Sequence, residues 1–140
     1  MTCDACNDKY HVEYRIVKPK PEKPEPKKDS KLALPVDSKQ RKDTPVARGF
    51  MDYFPAAMAA VAQLSKAANE KHNPGQEMHH ARGKSNDHAD CILRHLMDRG
   101  EIDPEDNIRH SVKVAWRAMA LLQEELEAAG EAPLARGARK

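Results

Sequence analysis

Aromatic residues are scarce in this chain: there are six in 140 residues, Tyr10, Tyr14, Phe50, Tyr53, Phe54 and Trp116. So few large rings exclude an extensive core. Cysteine is scarce as well, and three of them, an odd number, exclude a fully paired disulfide framework. No apolar run approaches the roughly 20 residues of a membrane span. The N-terminus lacks the basic-then-apolar plan of a signal peptide. With a formal charge of only +2, the composition gives no reason to expect nucleic acid as a partner. The chain contains no GxSxG, no HExxH and no second CxxC, which leaves the usual serine-hydrolase and zinc-protease signatures without support. These absences predict a single soluble domain in a reducing, cytoplasmic setting, without membrane contact.

What is present divides the chain into parts. Residues 1–17 form a short mixed segment whose Cys3, Cys6 and His11 offer three potential zinc ligands and no evident fourth. Residues 18–45 place proline at every second or third position among lysines and glutamates. That pattern removes backbone donors and favours an extended, disordered spacer. Its basic stretches could meet an acidic partner. Residues 46–130 carry helical periodicity, and residues 131–140 read as a flexible tail.

Three helices are predicted, giving an all-α fold: a small helical bundle behind a disordered, Pro/Lys-rich N-terminal arm. The first begins near Asp52 with Pro55 in its first turn, where a missing N–H costs nothing. Phe54, Met58, Val61, Leu64 and Ala68 form its stripe, and Pro74 with Gly75 ends it. The second is framed by Ser85 or Asn86 as N-cap and by Gly100 beyond its end. Its apolar side is Ala89, Ile92, Leu93, Leu96 and Met97, taken to face the core. The third is expected to start at Asp103 as N-cap with Pro104 behind it, and Gly130 stops it. It shows one stripe of Ile108, Val112, Ala115, Trp116, Met119, Leu122 and Leu126. A second strip, Val114, Ala118 and Leu121, lies roughly opposite. A helix apolar on two sides needs more than two neighbours, so a homo-oligomer is predicted.

The chemistry gathers between Asn69 and Leu126, which hold six of the seven histidines. On the second helix Asp87, Asp90, Cys91, Arg94 and Asp98 share a polar side, with His88 and His95 at its boundary. Half-desolvated histidines can act as ligands, bases or phosphate donors, or can simply bond nearby carboxylates. Asp87, Asp90 and Asp98 can hold a hard divalent cation, or can pair with Arg94 and Arg99. On the third helix His110, Lys113 and Arg117 make a cationic column suited either to a triphosphate or to Glu124 and other acids. The histidine- and lysine-rich loop between the first two helices is longer than a bundle needs. Its GKS sequence, Gly83 to Ser85, is not a phosphate-binding P-loop, because the preceding glycine spacing and strand are missing.

The ordered motifs RGFMDYFPAAM, NEKHNPG, GKSNDHADCILRHLMDRG and HSVKVAWRAMALLQEEL resemble the phage and prophage family named for a dATP/dGTP diphosphohydrolase N-terminal domain. The resemblance covers about residues 46–130. It implies a helical, metal-dependent enzyme that converts a purine deoxynucleoside triphosphate to the monophosphate and pyrophosphate. Carried over to this chain, it implies Asp87, Asp90 and His88 as metal ligands for Mg²⁺ or Mn²⁺. It implies His95 and His110 as catalytic ligand or base, and Lys84, Arg94, Lys113 and Arg117 as phosphate-binding residues. His80 stands where the resemblance leads one to expect tryptophan. The EExxE plus ExxD pattern of MazG-type pyrophosphatases is not reproduced by Glu124, Glu125 and Glu127. Two other readings compete: a non-catalytic helical module that binds nucleotide, metal or protein, and a phage structural or assembly protein.

Overall fold

A computed structural model describes residues 34–139. The Cys3–Cys6–His11 group, the 1–17 segment and most of the 18–45 spacer lie outside the described residues. The described part is mostly helical, as expected. Its elements are α1 (Ser38–Lys42), a π-helical turn (Ala47–Met51), α2 (Pro55–His72), β1 (His80–Ala81), α3 (His88–Met97), β2 (Ile102–Asp103), β3 (Ile108–Arg109), α4 (His110–Ala128) and β4 (Ala138–Arg139). No helix among the described residues is long and apolar enough to cross a membrane.

The short α1 falls inside the expected spacer. Asp37 makes it possible, because its Oδ1 accepts from the Lys39 and Gln40 amides, both at 3.0 Å, which satisfies donors that a helix start leaves orphaned. The next turn is wound wide, with the Asp52 amide donating to the Ala47 carbonyl at 2.9 Å, five residues back. Pro55 then opens α2 at its first position. Met58, Val61, Leu64 and Ala68 turn inward and are half-buried.

Beyond α2, Asn69 and Asn73 are both buried and hold the long loop. The Asn69 side-chain amide donates to the Gln76 carbonyl (3.2 Å), while its Oδ1 accepts from the His79 amide (3.3 Å) and from Asn73 Nδ2 (3.2 Å). The loop leads into β1, which pairs in parallel with β4, His80 opposite Ala138. Rather than fraying, the tail therefore returns to the domain. Its Ala138 is buried, and the Ala135 amide donates to Glu127 Oε1 at 3.0 Å.

Two helix starts and one packing face differ from expectation. The third helix starts at His110, not at Asp103. Residues 102–109 form an antiparallel hairpin, with Ile102 opposite Arg109 and Asp103 opposite Ile108. Its short acids prefer their own backbone to a helix. Asp103 Oδ1 accepts from the Glu105 amide (2.9 Å), Asp106 Oδ1 accepts from the Ile108 amide (3.1 Å), and Asn107 adopts φ 59°. Such local bonds favour turns over helix interiors. The second helix likewise begins later than expected. Asp87 occupies its cap position without capping it, since its carboxylate is engaged by Ser85, Cys91 and Arg94 side chains.

α3 also turns inward a different side from the one expected. His88 and Cys91 are buried, and Ile92 and His95 are half-buried, so this stripe packs on α4. Leu93, Leu96 and Met97 are 60, 42 and 80 % exposed, and Ala89 is exposed with them. The predicted apolar side is therefore largely outward. The α3–α4 seam is built from imidazoles, a thiol and charged partners, and the two helices run antiparallel along it. α4 also leans on α2, where Trp116 Nε1 donates to Ser65 Oγ at 2.9 Å.

Candidate functional site

The seam carries two groups of potential ligands, one toward each end of α3. His88 and His95 lie seven residues apart, two turns or about 10 Å along the helix, and each meets a different set of partners.

At the C-terminal end, His95 on α3 faces His110, the first residue of α4. Their Nδ1 atoms are 2.9 Å apart. At that separation one nitrogen donates and the other accepts, so the pair shares a single proton across the contact. Asp103 on β2 completes the group, with one ligand atom from each residue lying within 4.8 Å of the others. The hairpin that displaced the expected helix start is what brings Asp103 here. Lys113, one turn beyond His110 on the same face, donates to Asp103 Oδ2 (2.6 Å) and pairs with Asp106 Oδ2 (2.7 Å). Burial opposes the charge on Lys113, but its bonds to Asp103 and Asp106 outweigh this and raise its pKa. Burial also lowers the pKa of His95, and the nearby Lys113 charge adds to the effect. A neutral imidazole is the form that binds a metal.

The hydrogen bond from Lys113, helped by the Glu105 amide, holds Asp103 down to about 2. The stability consequence has a definite sign. A carboxylate more acidic in the folded than in the unfolded state binds fewer protons when folded. The contribution of Asp103 is therefore complete above the ordinary carboxylate range of about 4 and is lost as pH falls toward about 2. Denaturation followed between neutral and acid pH should show this fall, and Asp103→Asn should flatten it. An unchanged acid profile in that variant would refute the Asp103–Lys113 coupling.

At the N-terminal end of α3, His88 meets His80 on β1 and Glu124 on α4, again with ligand atoms within 4.8 Å of one another. His88 Nε2 is 3.4 Å from Glu124 Oε2, and His80 Nε2 is 3.8 Å from Oε1. Arg82 donates through Nη1 to Glu124 (2.8 Å) and through Nη2 to Glu127 (2.9 Å). Burial lowers the pKa of His80, assisted by the Arg82 charge. Burial would raise Glu124, but the Arg82 bond and the neighbouring His88 ring together outweigh it and keep the carboxyl below its usual range. The Trp116 ring stands edge-on to His80 at 4.9 Å between centroids, and Arg117 lies over it at 5.6 Å. A groove of about 430 Å³ opens alongside, lined by Arg82, Gly83, Glu124, Glu127, Ala128 and Leu134.

The residues expected at a site are distributed over these groups and between them. His95, His110 and Lys113 come together at one end. His88 belongs to the other, and Arg117 sits beside it, donating to Ser85 Oγ (2.7 Å) and lying 3.3 Å from His88 Nδ1. Asp87 is tied to Ser85, Arg94 and Cys91; the Ser85 hydroxyl first, then Arg94, hold its carboxyl well below the usual range. Arg94 is exposed and donates to Asp87 Oδ2 at 3.1 Å. Asp90 lies on the outer side of α3, and neither Asp87 nor Asp90 joins a three-ligand group among the described residues. Lys84 donates to Asn73 Oδ1 (2.8 Å) and helps fix the loop.

Sequence reasoning does not reach His80, Arg82, Asp103 and Glu124 as site residues. It makes Asp103 a helix cap and Glu124 a counter-charge. For His80 and Arg82 the local signals are their place in a long, chemically rich loop and, for His80, its standing where the resemblance leads one to expect tryptophan.

A family model described as dATP/dGTP diphosphohydrolase, N-terminal, matches residues 36–133, from just before α1 to just beyond α4. No curated protein and no solved structure matches the chain. With well over half of its length matched by that model, the chain belongs to the dATP/dGTP diphosphohydrolase N-terminal domain family.

Proposed function

We propose that the domain hydrolyses a purine deoxynucleoside triphosphate, dATP or dGTP, to the monophosphate and pyrophosphate, using Mg²⁺ or Mn²⁺ held by His95, Asp103 and His110. The observation that carries this reading is the approach of the His95 and His110 Nδ1 atoms to 2.9 Å, with the Asp103 carboxylate in the same group. Three donors from α3, β2 and α4 fit a divalent cation, and the two imidazoles favour Mn²⁺ over Mg²⁺. The bound ion would neutralise phosphate charge and make water a better nucleophile. Attack by water on the α-phosphorus breaks its bond to the bridging oxygen, and pyrophosphate leaves. Lys113 would offset phosphate charge beside this group, with Arg94 on the neighbouring exposed face of α3. Lys84 and Arg117 belong to the proposed phosphate-binding set from the N-terminal side of α3, away from this group.

The test is pyrophosphate release from each of the four deoxynucleoside triphosphates with Mg²⁺ and with Mn²⁺. Release from dATP or dGTP that stops on adding EDTA is expected, and release from none of the four refutes the proposal. A second reading is favoured by the matched family model, which describes an N-terminal domain: a module that binds the nucleotide without turning it over. It is distinguished by thermal stabilisation on adding dATP or dGTP without pyrophosphate release.

The same reading includes a homo-oligomer. No large side chain among the described residues is fully buried, and the buried apolar set is Cys91, Ala120 and Ala138. A domain this thin gains much of its stability from association, and the outward Leu93, Leu96 and Met97 suit a second copy. Light scattering that gives the monomer mass removes this part of the proposal.

A further inference from the structure

We infer that His80, His88 and Glu124 form a second metal site, one that takes a divalent transition metal of the zinc or cobalt class and fastens the β1 loop to the α3–α4 seam. The three donors come from β1, α3 and α4, and their ligand atoms lie within 4.8 Å of one another.

The strongest observation is His88 itself. Its side chain is 5 % exposed, and its Nε2 has no hydrogen-bond partner among the described residues. A buried polar nitrogen left in that state is costly. The atom it faces is Glu124 Oε2, at 3.4 Å, a separation close to that between two ligands of one tetrahedral ion, roughly 3.3 Å for bonds near 2.0 Å.

The carboxylate is arranged to serve both partners. Glu124 Oε1 accepts from Arg82, which leaves Oε2 on the His88 side. Arg82 is shared with Glu127, so Glu124 does not have that guanidinium to itself. Binding through Nε2 requires the His88 ring proton to sit on Nδ1. Arg117, 3.3 Å from that nitrogen, has its shorter bond to Ser85 at 2.7 Å and Asp87 at 3.9 Å as a counter-charge. It can therefore release His88 without losing its partners. His80 is steadied by the Trp116 edge at 4.9 Å.

Donor chemistry sets the class of ion. Two imidazoles and one carboxylate, the donor set also found at His95–Asp103–His110, suit borderline metals such as Zn²⁺ and Co²⁺ better than Mg²⁺, which prefers oxygen. Three protein ligands leave a position for water on a four-coordinate ion. The site differs from the His95–Asp103–His110 group in every ligand, so it stands whether or not that group supports hydrolysis.

The test titrates the full chain with Co²⁺ alone, with no nucleotide present, following the visible absorption of the ion and the thermal midpoint. A Cys3→Ser/Cys6→Ser chain is titrated in parallel, so that binding by the N-terminal cysteines is separated by its sulfur-to-cobalt charge-transfer band. The expected result is an equivalent of Co²⁺ without that band, bound with a rise in thermal midpoint and not displaced by equal Mg²⁺. His80→Asn, in the half-buried loop, should lose that equivalent or weaken it by more than about tenfold, with unchanged helical circular dichroism. Glu124→Gln, which still offers Arg82 an acceptor, should do the same, while Asp103→Asn should retain it. The inference is overturned if His80→Asn and Glu124→Gln bind as many equivalents as the parent, at the same affinity. It is equally overturned if all Co²⁺ binding disappears with the cysteines or with Asp103→Asn.

Discussion

Replacing Trp116 with alanine is expected to destabilise the domain by about 3 kcal/mol, the lower end of the range for removing a packed tryptophan, because Trp116 is half-buried rather than sealed. The effect is large for this protein because so little else is inside. Trp116 is the only tryptophan, and it joins three parts of the fold. Its Nε1 donates to Ser65 on α2, its edge meets the His80 ring on β1, and its neighbour Arg117 lies over its face. Truncation leaves a void where α2, β1 and α4 meet, and no large fully buried side chain among the described residues can compensate. Trp116→Phe separates the two contributions: it keeps much of the apolar volume and gives up the Ser65 bond, for about 1 kcal/mol. Urea denaturation read by circular dichroism measures both, since the alanine variant loses its fluorophore. A loss below about 1 kcal/mol in Trp116→Ala would show that this junction does not hold the domain together.

How much of this was legible in advance depends on the range over which each feature is decided. α2 was readable because its determinants are local: Pro55 at the first position, an inward stripe from Met58 to Ala68, and a Pro–Gly stop. The end of α4 was readable for the same reason, with Gly130 at φ 70° just past it. Periodicity also found the two sides of α3. It could not say which side was inside, because apolar character favours burial only when no better-matched polar seam competes. Here Cys91 and His95 find Asp87 and His110 and His88 faces Glu124, so this stripe turns inward and leucines are left outside.

The hairpin at Asp103 was hidden by an ambiguity in the local code. Asp-Pro followed by two acids describes a good helix start, and the same acids describe side-chain-stabilised turns. Asn107 at positive φ belongs to the second description. The two ligand groups were the least legible features. His80 and Glu124 are far apart in the chain, and β1 is positioned partly by β4, a strand from the opposite end of the domain. Their meeting depends on tertiary placement, which no spacing rule reports.

That distinction gives the second large expected effect. Asp103→Asn should reduce pyrophosphate release by about 100-fold or more, since even residues that merely support a metal ligand cost up to about 100-fold when changed. The substitution is mild for the fold: an asparagine oxygen can still accept from the Glu105 amide, and Lys113 keeps Asp106 as a partner. Asp90→Asn should stay within about twofold of the parent, the scale of an exposed substitution away from the site, because Asp90 faces outward on α3. The two variants set one ligand group against the other, His95–Asp103–His110 against Asp87–Asp90–His88. Loss should appear as a higher Mn²⁺ requirement in Asp103→Asn, and raising Mn²⁺ should recover part of the activity. His95→Ala and His110→Ala should behave alike, because each removes one side of the same 2.9 Å contact. If Asp90→Asn is the inactive variant and Asp103→Asn turns over normally, the metal belongs with Asp87, Asp90 and His88, and the buried histidine pair is a structural clasp between α3 and α4. A nucleotide-binding module without turnover would give the same ordering in Mn²⁺ affinity, measured by the quenching of the Mn²⁺ resonance signal, so the ligand assignment can be decided even if hydrolysis is absent.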